Sequence, residues 1–299
     1  MRIMLLGKDG QVGWELQRAL APLGQLLSLG AASPHPQSGD LSQPESVAAT
    51  VRTFAPDVVV NAAAYTAVDR AESEPDKART INAVAPGMLA TEVAALGAWL
   101  IHYSTDYVFD GSGTTPWTEL DPVGPLNAYG RTKLEGEELI RASGCRHLIL
   151  RTSWVYAARG SNFARTMLRL AAERESLSVI DDQIGAPTGA DLLADVTAHS
   201  LRTALTRPGM SGTYHVAAGG ETSWHGYACH VIAFARAAGR SIRIQADAIR
   251  PVATSAFPTP ARRPLNSRLA TEKLQRAFSL TLPHWTSGVN RTLMEILDV

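Results

Sequence analysis

The first thirteen residues restrict the fold most. The apolar run Arg2–Leu6 leads directly into Gly7-Lys8-Asp9-Gly10-Gln11-Val12-Gly13, and apolar residues at helical spacing follow over 12–23. A buried strand, a glycine-rich turn and a helix in immediate succession make a βα unit rather than a hairpin. The pattern then repeats. Further strands are expected at Gln25–Leu29, 57–61, 99–104 and 147–151, and helices at 43–54 (with Ser42 as a possible N-cap), 78–96 and 127–142. Strands alternating with helices imply a parallel sheet covered on both faces.

After residue 151 the alternation loosens. A helix is expected at 163–174, a strand at Leu177–Ile180 and a helix at 191–205, and the four prolines within 251–264 read as an ordered loop. The fold class is therefore α/β, a Rossmann-type doubly wound parallel sheet with a smaller α/β substrate-binding lobe. The sheet domain takes 1–153 plus about 186–220, and the lobe about 154–185 and 221–299.

Composition removes several classes of function. Twenty-eight basic side chains balance 28 acidic ones, so the electrostatic signature of a nucleic-acid binder is missing. No apolar run approaches membrane-spanning length. Cys145 and Cys229 lie far apart and outside any CxxC pattern, which suits a reducing, cytoplasmic setting. Eight histidines occur without HExxH, and His225 and His230 stand five apart rather than four. They read as packing or surface groups. No GxSxG is present either.

The chemistry starts at the glycine-rich turn. Glycines allow a tight bend and close approach of a pyrophosphate, while the helix N-terminus offers unpaired N–H groups and partial positive charge. Gly7, Gly10 and Gly13 are thus candidates for a dinucleotide site, and NADPH or NADH is the expected cofactor. The end of the second strand usually carries the acid or arginine that selects between them. Here it reads Gly30-Ala31-Ala32-Ser33-Pro34-His35, with neither. Ser33 or His35 is a possible phosphate contact, or the stretch is a solvated loop. Asp40 is either an acceptor for the adenine amino group or a turn carboxylate. The small residues of Asn61-Ala62-Ala63-Ala64-Tyr65 leave room for a ligand at a strand's carboxyl end.

Tyr129 and Lys133 stand four apart on an expected helix, so they share a face. An ammonium near a phenol lowers its pKa, which makes the pair a plausible proton donor to a ketone oxygen. Lys133 is also a candidate for the nicotinamide ribose hydroxyls. Ser104 and Thr105 follow a central strand, and alternation allows only one of them to face the site. Asp106 either orients a sugar hydroxyl or caps the next turn.

Together these elements resemble the extended short-chain dehydrogenase/reductases. Residues 7–20 (GKDGQVGWELQRAL), 61–75 (NAAAYTAVDRAESEP), 102–111 (HYSTDYVFDG), 125–133 (PLNAYGRTK), 151–156 (RTSWVY), 182–188 (DQIGAPT) and 258–269 (PTPARRPLNSRL) are similar to the dTDP-4-dehydrorhamnose reductases in particular. The resemblance implies hydride transfer to C4 of dTDP-4-dehydro-6-deoxy-L-mannose, the last step of dTDP-L-rhamnose synthesis. It implies Thr105, rather than Ser104, as the third catalytic residue beside Tyr129 and Lys133. It places Gly10, Gln11 and Val12 on the pyrophosphate, Asp40 and Leu41 at the adenine, and Ala63, Ala64 and Tyr65 on the nicotinamide side. Trp154 would pack on the deoxysugar and Arg263 would meet the diphosphate, beside Thr105 and Asp106.

The chain departs from the family at Gly30, where members often carry an acid. The resemblance also implies a homodimer bridged by Mg²⁺. Glu15 and Glu295 match its ligands in kind, while Asp191 replaces a glutamate. Two competing readings remain open from sequence: a sister nucleotide-sugar reductase or epimerase, and a catalytically silent regulatory subunit of the same fold.

Overall fold

The computed structural model describes residues 1–33 and 37–299. Six parallel strands form the central sheet: β1 (Arg2–Leu6), β2 (Gln25–Leu29), β3 (Val58–Asn61), β4 (Trp99–Thr105), β5 (Arg146–Thr152) and β6 (Gly212–His215). Their spatial order is β6-β5-β4-β3-β1-β2. The chain steps outward from β1 to β2, returns past β1 to β3, and then moves steadily away. The strand order reverses between β1 and β3, where an open parallel sheet of this kind holds its ligand.

Alternation along each strand serves two cores at once. Ile3, Leu5, Val58, Val60, Trp99, Ile101, Leu148 and Leu150 pack into one apolar cluster. Met4, Leu6, Val59, Leu100 and Ile149 pack into the other. A strand buried on both faces has no polar side, so these segments read as continuous apolar runs. The first cluster is closed by α1 (Gln11–Leu20) and, later in the chain, by the helix Ala190–Thr206. The second is closed by α2 (Pro44–Phe54), α3 (Ala85–Ala95) and α4 (Ala128–Ala142).

A third apolar cluster lies outside the sheet. It joins α5 (Phe163–Glu173), α6 (Ala190–Thr206, through Leu192), α7 (Trp224–Ala237) and, past α8 (Glu272–Phe278), α9 (Trp285–Leu297) with the strand Leu177–Ile180. Leu274, Phe278 and Leu282 pack instead in the first, sheet-side cluster, so the stretch around α8 leaves the expected lobe and covers the sheet.

Several local expectations change. The helix expected at 78–96 is broken into Pro75–Arg79, a π turn at Thr80–Val84 and α3. Pro86 has no N–H to give to Asn82, and the wide turn takes up the defect. Ser42 does not cap α2: the cap position is Gln43, without a side-chain bond, and Pro44 starts the helix. Part of the stretch expected as a loop at 251–264 belongs to the strand Ile249–Val252, paired with Leu177–Ile180.

The turn between β1 and α1 depends on backbone approach. Gly7 has φ +86°, and a Cβ there would stand 2.7 Å from Ala63 N. A Cβ on Gly13 would overlap the carbonyl oxygen of Gly7 and lie 2.6 Å from its carbon. Both obstacles are main chain and cannot rotate away. Gly13→Ala is therefore expected to destabilise the protein by about 2–4 kcal/mol. Denaturant unfolding measures this, and an unchanged midpoint would show that the turn has slack.

Candidate functional site

At the carboxyl ends of the strands lies a cleft of about 750 Å³. Helix α1 opens on it. Gly10 occupies the N-cap without any side-chain bond, so the first N–H groups of the helix lack a capping side chain. Gly7, Gly10, Gln11 and Val12 line the cleft beside Ala63 and Ala64. Gly13 is buried beneath the turn, where it lets Gly7 and α1 meet. Such a cradle accepts a pyrophosphate on structural grounds alone.

The outer part of the cleft carries Asp40 and Leu41. Leu41 is buried against the second apolar cluster. Asp40 Oδ1 accepts from the Ser42 N–H at 2.9 Å, so its carboxylate serves a turn while also facing the cleft. Ser33 Oγ accepts from the Gly30 N–H at 2.9 Å and so holds its own loop. His35 lies outside the described residues.

Thr105, Asp106, Tyr129, Lys133 and Trp154 meet on the other side. Both hydroxyls at the end of β4 belong to residues that line the cleft, and they have different partners. Ser104 Oγ donates to Glu137 at 2.6 Å, and Glu137 is fully buried in an ion pair with Arg151 at 2.6 Å. Thr105 turns the opposite way. Its hydroxyl donates to Asp106 Oδ1 at 3.2 Å and accepts from the Tyr107 N–H, on the side of the cleft that Tyr129 also lines.

The Tyr129–Lys133 pair differs from the sequence expectation in one respect. Lys133 Nζ does not point at the phenol. It donates to Tyr103 O at 2.6 Å and lies 3.0 Å from His102 Nε2. Burial lowers the Lys133 ammonium to about 8, with Glu137 opposing. Burial also raises the Tyr129 phenol above its ordinary value, Asp106 and Tyr107 adding to the shift and the Thr105 hydroxyl opposing it. Ammonium tuning of the phenol is thus absent from this arrangement. Tyr129 stays protonated, which suits a group that hands its proton only to an oxygen turning into an alkoxide.

Three residues were not anticipated as parts of this assembly. His102, expected beside the site but only as a packing or surface group, touches Lys133. It is held neutral by burial and by the neighbouring ammonium. Asn61 lies against its ring: Asn61 Oδ1 accepts from the Ala63 N–H at 3.1 Å, and the amide nitrogen stands 3.1 Å from His102 Nδ1. Asn82, freed by the π turn, accepts from the Tyr65 N–H at 2.8 Å and donates to Thr132 at 3.1 Å. The only sequence sign of Asn82 was a polar residue in an Ala-rich segment, four positions before a proline.

Trp154 forms the far wall. It adopts φ +49°, uncommon for a bulky residue, and stacks on Trp224 at 3.6 Å and 13°. Two expected members stand elsewhere. Tyr65 does not line the cleft; its hydroxyl donates to Glu74 at 2.7 Å. Arg263 is outside the lining too, with its guanidinium donating to Asp69 at 2.7 Å and to the Tyr107 hydroxyl at 3.2 Å. Within one chain the candidate metal ligands have other partners. Glu15 pairs with Arg18 and Asp191 with Arg291, and among the described residues no three metal-ligating side chains come together. Nor is any described helix long and apolar enough to cross a membrane.

Known proteins resemble this chain over nearly its whole length. Residues 1–297 match the family model described as the RmlD substrate binding domain. The chain belongs to that family. It is 58% identical over 296 residues to the dTDP-4-dehydrorhamnose reductase of Shigella flexneri, covering 99% of this chain and 98% of that protein. The Escherichia coli K12 protein of the same name is 57% identical, with the same coverage. Among solved structures, the dTDP-4-dehydrorhamnose reductase of Bacillus anthracis in complex with NADP superposes with a TM-score of 0.86. It is 33% identical and covers 98% of this chain and 99% of that one.

The buried carboxylate beside the triad gives a pH-dependent test. Burial raises the Asp106 carboxyl from 3.8 to about 6, with the nearby Ser267 and Thr105 hydroxyls opposing the shift. The folded state thus keeps a proton that the unfolded chain releases, and stability falls as pH rises from about 4 to 6. Asp106→Asn is expected to stabilise the protein by up to about 3 kcal/mol near pH 7.5 and hardly at all near pH 4. Melting temperatures at the two pH values check this; equal shifts would reject the buried charge as the cause.

Proposed function

We propose that this chain reduces the C4 ketone of dTDP-4-dehydro-6-deoxy-L-mannose to dTDP-L-rhamnose, the closing step of dTDP-L-rhamnose synthesis, with NADH or NADPH. The observation that carries the reading is the convergence of Thr105, Tyr129 and Lys133 on one cleft with the open N-terminus of α1, in a chain 58% identical to a reductase of that name. The nicotinamide, when bound, supplies the hydride.

The chain's own groups do the rest. Gly10, Gln11 and Val12 offer main-chain N–H groups to the pyrophosphate. Tyr129 gives its proton to the ketone oxygen as negative charge develops there, and the Thr105 hydroxyl donates to the same oxygen. Lys133, released from Tyr103 O, holds the ribose hydroxyls. Trp154 presents its ring to the deoxysugar, and Asp106 is placed to order a sugar hydroxyl. Remote binding of the dTDP group aligns C4 for transfer.

The division into a dinucleotide-binding domain (1–153 and about 186–220) and a substrate lobe (about 154–185 and 221–299, apart from the stretch around α8 that packs on the sheet) is part of the proposal. The separate apolar cluster around Tyr227 and Trp285 supports it. So is a homodimer, and so is a cytoplasmic setting, in which the two free thiols Cys145 and Cys229 are at ease.

The test follows NADH and NADPH oxidation separately with the ketosugar, and identifies the product. Tyr129→Phe is expected to lower kcat by about 10²-fold or more while dinucleotide binding survives. Near-normal turnover would remove Tyr129 from the acid role. Trp154→Ala is expected to raise KM for the sugar more than KM for the dinucleotide; equal changes would make it a support of the fold.

A further inference from the structure

The end of β2 is where a doubly wound sheet places the acid that meets the adenosine ribose. This chain has Gly30 there, and the space a side chain would need is already taken. A Cβ on Gly30 would run into the Asp9 carboxylate and would stand 3.6 Å from Lys8 Cε. Asp9, Gly30 and Ala31 line the cleft together. The placement is fixed by main chain: the N–H groups of Gly7 and Lys8 both donate to Leu29 O, at 2.9 and 3.2 Å, and Gly10 N–H donates to Gly7 O at 3.0 Å. The glycine-rich turn is thereby tied to the last residue of β2, with Asp9 laid against Gly30.

We propose that Asp9 takes over the role of the missing β2 acid, its carboxylate accepting from the adenosine ribose hydroxyls and selecting NADH over NADPH. This rests on the dinucleotide reading above and names its selector. A ribose 2′-hydroxyl is a donor that a carboxylate satisfies. A 2′-phosphate at the same place sets like charges side by side in a partly enclosed cleft. Asp40, the other carboxylate of this wall, is engaged with the Ser42 N–H. Lys8 is the opposing charge: its ammonium favours a 2′-phosphate, and Asp9 offsets it. Removing the Asp9 charge therefore does more than weaken NADH; it leaves Lys8 to attract NADPH.

The experiment measures dissociation constants of NADH and NADPH by calorimetry, without sugar. Asp9 is exposed, so its replacement leaves folding intact. The unmodified protein is expected to bind NADH about tenfold more tightly, and Asp9→Asn to shift the ratio about tenfold toward NADPH. Asp9→Ser combined with Gly30→Asp moves the carboxylate back onto β2 and is expected to restore the NADH preference. A ratio in Asp9→Asn within about twofold of the unmodified protein would overturn the assignment. Failure of either dinucleotide to bind the unmodified protein would overturn the dinucleotide reading itself, a result distinct from an unchanged ratio.

Discussion

The close approach of three pieces of backbone governs this molecule. Gly7, the start of α1 at Gly13 and the exit of β3 at Ala62 and Ala63 come so near that no Cβ fits between them. The glycines permit φ +86° at Gly7 and bring α1 down onto the switch point with its first N–H groups uncovered. Everything the cleft can bind is placed relative to that contact. The same turn is pinned to β2 through Leu29 O, so the first two strands and the phosphate cradle move as one body.

On the other side the arrangement rests on buried charge. Glu137, held by Arg151 and Arg141, takes the Ser104 hydroxyl and thereby fixes which way the end of β4 faces. Removing one partner of such a pair is strongly destabilising, because the remaining charge stays buried. The pair therefore acts on specificity of conformation: with Ser104 held behind the strand, Thr105 has one orientation. Asn61 does the same for His102, and His102 for Lys133.

Much of this was legible in the sequence, for physical reasons that can be named. Doubly buried strands announce themselves as apolar runs, and β1, β3 and β4 stood out accordingly. The glycine spacing marked the turn, and the four-residue spacing of Tyr129 and Lys133 marked a shared helix face. What was not legible depends on contacts distant in sequence. Ser104 and Thr105 stand side by side in the sequence, and the bond of Ser104 to Glu137, 33 positions away, leaves no trace there. Arg263 and Tyr65 are tied to Asp69 and Glu74, partners that sequence spacing does not reveal, and Arg263 also reaches the hydroxyl of Tyr107 at the cleft. Helical periodicity over 78–96 hid the π turn, because a single proline shifts the pattern without erasing it. The pairing of Asp191 with Arg291, 100 positions on, is a contact of the same distant kind.

The stacked rings of Trp154 and Trp224 have an optical consequence. Two indoles 3.6 Å apart and nearly parallel do not absorb light independently; their excited states mix. The pair should give a split circular dichroism band whose amplitude depends on the angle between the rings. Because one ring is the wall of the cleft and the other belongs to α7, the protein carries its own goniometer across that wall, readable without any added label.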